Sequence, residues 1–436
     1  MPNLKSPGDA ARGSNRWREV LAVYADRRIL LIAFMGFSSG LPLLLTLSTL
    51  SYWLAKLGVS KTSIGLFALV GTPYSFKFLW APFLDQIRPP ILGRRRGWAL
   101  IIQLALALAI LAMGMTDPAV NPWWTALAML VVAFLSASQD IVIDAYRIEI
   151  LPEALQGAGA AATQVGYRFG LLAAGAGAVA LADFVAWHWV FAGLALLMAV
   201  GMVTMLLAPE PAMPAAIQRQ SLARRLEMGV IEPFVDFLGR RGWFVILLFV
   251  LLYKFGEAVS GTMATPFYVE LGFTGVEIAE ITKVFGIVAS LAGTLAGGLM
   301  VARVGIMRAL LLGGVLQAVG TLLFAVLAYQ GHDRLWLAIV VGSDNFVGGL
   351  GSAAFVAYLS ALCNVAFTGT QYALLTSFMA WGRTLLSSGS GWLAVRLGWP
   401  VFFIASTGLA VPGLLLLLWL SRLYPTPRAG MEAKLA

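Results

Sequence analysis

Apolar runs separated by short polar connections dominate the chain. They lie near residues 29–51, 61–84, 98–116, 122–146, 157–182, 187–208, 243–268, 277–301, 307–329, 335–361, 370–396 and 399–421. Each is about as long as an α-helix must be to cross ~30 Å of hydrocarbon at ~1.5 Å per residue. Strict period-two alternation, the mark of a membrane barrel, is absent. The pattern predicts an all-α polytopic membrane protein with twelve transmembrane helices. The connection at 209–242 is rich in proline and arginine and cannot span, and it leaves six runs on either side. The expected domains are a tail at 1–28, a six-helix bundle at 29–208, a linker at 209–242, a second bundle at 243–421 and a tail at 422–436.

An internal echo suggests that the halves are related. Leu57-Gly58-Val59-Ser60 with Ile64 matches Leu271-Gly272-Phe273-Thr274 with Ile278, and an aromatic pair, Tyr52-Trp53 or Phe267-Tyr268, precedes each copy. Two pseudo-symmetric six-helix halves around a midplane cavity are the architecture of large secondary transporters. Glycines recur at helix-packing spacing in Gly166-x-x-x-Gly170, Gly293-x-x-x-Gly297 and Gly348-Gly349-x-Gly351.

Composition agrees, with 60% hydrophobic and 12% charged residues. A formal net charge of +9 would suit a polyanion, but the positions of the charges argue otherwise. Of the 30 Lys and Arg residues, 21 fall on the side that holds both termini and the linker. Four fall on the other side, namely Lys56, Lys61, Arg334 and Arg396. The positive-inside rule then makes both termini and the linker cytoplasmic, and no nucleic-acid partner is implied. A polar start with no small-residue cleavage site after the first run implies an uncleaved first helix. The single cysteine, Cys363, excludes an intrachain disulfide and a cysteine-rich metal site, and His188 and His332 fall in connections. No cofactor and no metal are expected.

Five cations lie within spans: Lys77, Arg168, Lys254, Lys283 and Arg383. Embedded charges are costly, so they face a bundle interior or a wet cavity and mark function. In Ser136–Arg147, SASQDIVIDAYR, helical geometry puts Asp140 and Asp144 on one face with Arg147 three residues further. These acids are candidates for proton coupling or for pairing with nearby bases. Lys254 and Glu257 are three apart in the seventh run, near the midplane, and a carboxyl whose surroundings alternate can take up and release a proton. Asp344 is a further candidate proton site, and Asn345 a candidate ligand. Arg168 and Arg383 occupy counterpart helices, where a guanidinium fork can hold a carboxylate or pair with a nearby acid. Gln139 and Gln164 offer amides, and Tyr167, Tyr253 and Trp381 offer rings that suit a pyranose face. Lys77 reads as a partner near the cytoplasmic end of its span.

The loop Asp85-Gln86-Ile87-Arg88-Pro89-Pro90 followed by Gly93-Arg94-Arg95-Arg96-Gly97 resembles, with extra residues, the acidic-then-GRR latch of the major facilitator superfamily. This resemblance implies gating roles for Asp85, Arg94 and Arg95, with Lys77 and Arg147 nearby. Gly36-Phe37-Ser38-Ser39-Gly40-Leu41-Pro42, Phe76–Pro82, Ser136–Ala145, Gly157–Ala161, Gly166-Tyr167-Arg168, Tyr253-Lys254-Phe255-Gly256, Gly349–Ala357 and Thr370–Leu375 together resemble the muropeptide permease family, AmpG. Glu257 stands where that family is expected to carry Asp, and the chain ends soon after the twelfth run.

The resemblance implies a monomeric permease of the bacterial inner membrane. It would import N-acetylglucosaminyl-1,6-anhydro-N-acetylmuramic acid and its peptides with protons, in cell-wall recycling linked to β-lactamase induction. Acetyl-coenzyme A transporters belong to the same broader family, so another bulky anion or a peptide is the alternative cargo. A primary pump is excluded, because none of the seven lysines lies in a G-x-x-x-x-G-K-[ST] stretch. An intramembrane enzyme would gather its catalytic groups at one water edge, whereas these charges are spread over seven runs.

Overall fold

The computed structural model describes residues 23–46, 49–50, 53–54, 68–182, 184–212, 231–240, 242–274, 277–278, 280–387 and 389–423. Most of both tails, most of the linker and the Leu57–Ser60 copy of the echo lie outside these residues.

Among the described residues, nine helices are long and apolar enough to cross a membrane. They are Arg27–Leu45, Arg94–Gly114, Pro122–Ile150, Trp187–Leu207, Trp243–Glu270, Glu280–Val304, Ile306–Gln330, Arg334–Ala361 and Trp399–Arg422. They correspond to spans 1, 3, 4, 6, 7, 8, 9, 10 and 12 of the sequence pattern. The other three spans are helical but interrupted. The second runs as Thr72–Phe76, a tight 3-10 turn Lys77–Leu79 and Ala81–Gln86, with Pro73 and Pro82 each opening a new piece. The fifth is Gln156–Leu172, a wide π turn Ala173–Gly177 and Ala178–Leu181. The eleventh is Thr368–Ser387 and then Ser390–Leu397.

Contacts divide the chain into two compact units, residues 1–234 with 359–377, and 235–358 with 378–436. In the first unit the first and fifth spans lie backbone to backbone. A Cβ on Gly166 would overlap the Ala33 carbonyl, and one on Gly36 would overlap that of Thr163. Without water to drive association, such close approach supplies the packing energy. The apolar face of the third span carries Leu104, Leu108 and Leu111, all exposed and spaced to meet acyl chains. Trp123 and Trp124 are exposed in the first turn of the fourth span, and exposed rings at the end of a spanning helix suit contact with headgroups.

In the second unit the same device joins the eighth and tenth spans, where a Cβ on Gly293 would overlap the Phe346 carbonyl. Rings of Phe267, Phe324 and Trp399 pack around Phe403 at centroid distances of 4.8 to 6.1 Å. The described copy of the echo ends one helix and starts the next. Gly272, at φ +87°, closes the seventh span while Phe273 N donates to Tyr268 O at 3.2 Å. Thr274 Oγ1 then accepts from Glu277 N at 3.3 Å, and Glu277 returns a bond to Thr274 N at 2.9 Å, a reciprocal cap that opens the eighth.

Candidate functional site

Three polar groups carry the embedded charge, two in the first unit and one in the second. The first lies where the second and fourth spans end and the third begins. Arg95 is fully buried, and its Nη2 sits 2.7 Å from Asp85 Oδ1 and 2.6 Å from Glu149 Oε1. Arg94 donates to both Glu149 oxygens at 3.0 Å and to the Asp85 carbonyl at 2.9 Å. Asp85 is thereby aimed at the start of the helix Thr368–Ser387. It accepts from Gly369 N at 3.2 Å, and from Thr370 N and Oγ1 at 2.7 Å each. A carboxylate there complements the free N–H groups and the positive end of the helix dipole.

Glu210 caps the third span from its other side, accepting from Arg95 N at 2.8 Å and Arg96 N at 3.0 Å. Arg147, also fully buried, donates to Ser360 Oγ at 3.0 Å, lies 3.4 Å from Asp144 and stacks 5.4 Å above the Tyr372 ring. Gln371 closes the cluster, accepting from Asn364 N at 2.7 Å and donating to Pro233 O at 3.0 Å. The burial of Glu149 against the arginines also explains why the fourth span runs to Ile150, past the 146 read from hydropathy.

The second group corrects one expectation. Lys77 does not pair near the latch; its Nζ lies 4.0 Å from Asp140 Oδ2 on the fourth span. Lys77 is only 8% exposed and needs a counter-charge, while both oxygens of Asp85 are already engaged by Arg95, Gly369 and Thr370. Ser39 Oγ of the first span also donates to Asp140. Gln139 is completely buried, and its amide has no partner among the described residues. Gln164, Tyr167 and Arg168 are half-buried on the fifth span, three and four residues apart in steps that keep Gln164 and Arg168 on one face.

The third group sits at a break in the seventh span, between Trp243–Leu252 and Phe255–Glu270. Lys254 occupies the break, and its Nζ meets Glu257 at 2.5 Å and Ser352 Oγ of the tenth span at 3.1 Å. Tyr253 beside it donates to Leu310 O at 2.9 Å and stacks on Phe355 with centroids 5.1 Å apart. Asp344 accepts from Gln317 Nε2 at 3.0 Å. Asn345 returns its amide to its own helix at Val341 O, 2.9 Å away. Arg383 and Trp381 are exposed, and Arg383 makes no hydrogen bond or ion pair among the described residues. Among those residues no group of three or more His, Cys, Asp or Glu could hold a metal ion.

Sequence reasoning missed Glu149, Glu210, Ser39, Gln317 and Gln371. Glu149 carried a signal, an acid between isoleucines two residues after Arg147. The others are ordinary polar residues whose partners lie far away in sequence, and no local spacing marks them.

Comparison with known proteins places this arrangement. Residues 29–385 match the Major Facilitator Superfamily. The chain is 39% identical over 402 residues to the anhydromuropeptide permease of Escherichia coli K12, covering 92% of this chain and 81% of that one. It is 34% identical over 410 residues to a transporter named AmpG 4 of Rickettsia felis, covering 92% and 99%. Among solved structures, the proton:xylose symporter XylE superposes with a TM-score of 0.66 at 12% identity, over 92% of this chain and 95% of that one. The human organic anion transporter MFSD10 also reaches 0.66, at 14% identity over 90% and 99%. The chain is therefore a membrane-embedded transporter, not an enzyme, and belongs to the AmpG-type permeases of the major facilitator superfamily.

Proposed function

We propose that this permease imports anhydro-muropeptides, N-acetylglucosaminyl-1,6-anhydro-N-acetylmuramic acid and its peptides, across the bacterial inner membrane in symport with protons. The observation that carries the reading is the 39% identity to an anhydromuropeptide permease along 92% of the chain. The cargo feeds cell-wall recycling and, through it, β-lactamase induction. The protein works as a monomer with both termini in the cytoplasm.

The residues support division of labour. A muropeptide carries peptide carboxylates and neutral sugars. Arg383 has an exposed guanidinium with no protein partner among the described residues, which suits carboxylate capture, and its charge does not titrate. Arg168 is proposed for the same task in the first unit. Gln139, Gln164, Asn345, Tyr167 and Trp381 serve the sugars through amides and rings. Lys254 binds cargo when Glu257 is protonated and no longer holds it. Glu257, Asp140, Asp144 and Asp344 handle the proton, each lying where a base or amide steadies its charged form. Asp85, Arg94, Arg95 and Arg147 form a cytoplasmic latch that releases the start of the eleventh span during alternating access, and Lys77 acts beside it through Asp140.

Sealed vesicles bearing the protein test the cargo. Labelled anhydro-muropeptide is expected to enter and labelled acetyl-coenzyme A to stay outside; entry of acetyl-coenzyme A alone would transfer the reading to that anion.

A further inference from the structure

Within the second unit a small pocket lies against the break in the seventh span. It is lined by Lys254 and Glu257 from that break, Gln317 and Thr321 of the ninth span, and Ser406 and Thr407 of the twelfth. It has room for water but not for a sugar ring. No latch residue lines it, and of the proposed cargo contacts only Lys254 does.

Gln317 faces two ways. Its amide nitrogen donates to Asp344 Oδ1 at 3.0 Å, while its amide oxygen is buried and has no partner among the described residues. Asp344 in turn lies within electrostatic reach of both Glu257 and Lys254. Lys254 is held by Glu257 at 2.5 Å and by Ser352 at 3.1 Å. One ammonium therefore answers two carboxylates. The set carries a net negative charge unless one carboxyl holds a proton, and an uncompensated charge inside a membrane is costly.

We propose that Gln317, which lines the pocket and is bonded to Asp344 just outside that lining, is a positioning residue that joins Asp344 to the Lys254–Glu257 pair, so that the two carboxyls share one proton. The step balances simply. The proton leaves the Glu257 carboxyl and passes through pocket water to the Asp344 carboxylate, and Glu257 is left ionised against Lys254. Gln317 neither gains nor loses the proton; its nitrogen fixes the acceptor and its oxygen orders the water between. The inference rests on the proton-symport reading above and adds to it a particular pair of acids and the amide that couples them.

The test uses the full-length protein in proteoliposomes, with labelled N-acetylglucosaminyl-1,6-anhydro-N-acetylmuramyl peptide as the probe. Two rates are read: accumulation driven by an imposed proton gradient, and gradient-free counterflow, which needs a folded, binding, alternating protein but no net proton movement. Gln317→Leu is expected to keep counterflow and to lose accumulation roughly tenfold or more. Gln317→Met, similar in shape and also lacking the amide, must behave alike and serves if the leucine variant does not fold. In an Asp344→Asn background neither change should cost anything further, since both act on one unit. Wild-type accumulation by Gln317→Leu, an equal fall in both rates, or full additivity with Asp344→Asn would overturn the proposal while leaving proton symport standing. Absence of any gradient effect on the wild-type protein would instead remove the symport reading, and this inference with it.

Discussion

Glu257 and Arg383 show how differently two embedded charges are treated. Glu257 is 27% exposed and locked to Lys254, whereas Arg383 is exposed and makes no bond among the described residues. A charge that is paired in the resting protein can respond to protonation, and a charge left open can meet cargo. Replacing Glu257 with Gln removes the titrating group and keeps its shape. Uptake driven by a pH gradient should fall by roughly tenfold or more in that variant, while equilibrium binding of anhydro-muropeptide stays within about threefold. Full gradient-driven uptake would move the coupling role to Asp140, Asp144 or Asp344. At Arg383, loss of a charge-assisted contact is worth about 1.5 to 3 kcal/mol, roughly 10- to 100-fold in affinity. Arg383→Ala should therefore weaken binding of the peptide-bearing sugar by that factor and leave binding of the same ligand with its peptide carboxyls amidated unchanged, with Arg383→Lys in between. Equal weakening of both ligands, or of neither, would show that Arg383 does not hold a carboxylate.

At the scale of elements, the third span is fixed at its start by charges that come from elsewhere in the fold. Arg95 is fully buried between Asp85 and Glu149, so removing it leaves two buried carboxylates short of a partner. Breaking such a cluster typically costs roughly 3 to 5 kcal/mol, because the remaining charges stay desolvated. Arg95→Ala should accordingly lower the unfolding temperature of the purified protein far more than Arg88→Ala, an exposed arginine in the same loop. Equal thermal stability of the two variants would mean that the buried cluster does not hold this end of the bundle. Hydropathy located the spans because lipid imposes one length and one polarity on every helix. The echo also had a physical meaning, since Gly272 and Thr274 end one helix and cap the next. The breaks at Lys77 and Lys254 were invisible to hydropathy, which averages over a turn. Lys77 was placed with the latch because it lies close to that loop along the chain, whereas the latch acid Asp85 is taken up by Gly369 and Thr370, 284 and 285 positions away, and Lys77 turns to Asp140. For the same reason, no local pattern showed that residues 359–377 would group with the first unit.

The whole molecule is a membrane transporter, and the orientation proposed for it rests on the excess of Lys and Arg on one side of the spans. With Cys363 replaced by Ser, a cysteine at Arg88 should react with a membrane-impermeant thiol reagent only after the membrane is opened, and one at His332 should react in intact cells. The reverse pattern would invert every depth assigned here. Such a protein does its work only when two compartments differ. The most direct test of proton-driven import is therefore accumulation in sealed proteoliposomes holding the purified chain, given labelled anhydro-muropeptide outside and a more acidic medium outside than inside. The account predicts that label rises inside above its external concentration and that a protonophore collapses the rise to equilibrium. Uptake that never exceeds the external concentration, or that is indifferent to the protonophore, would contradict it.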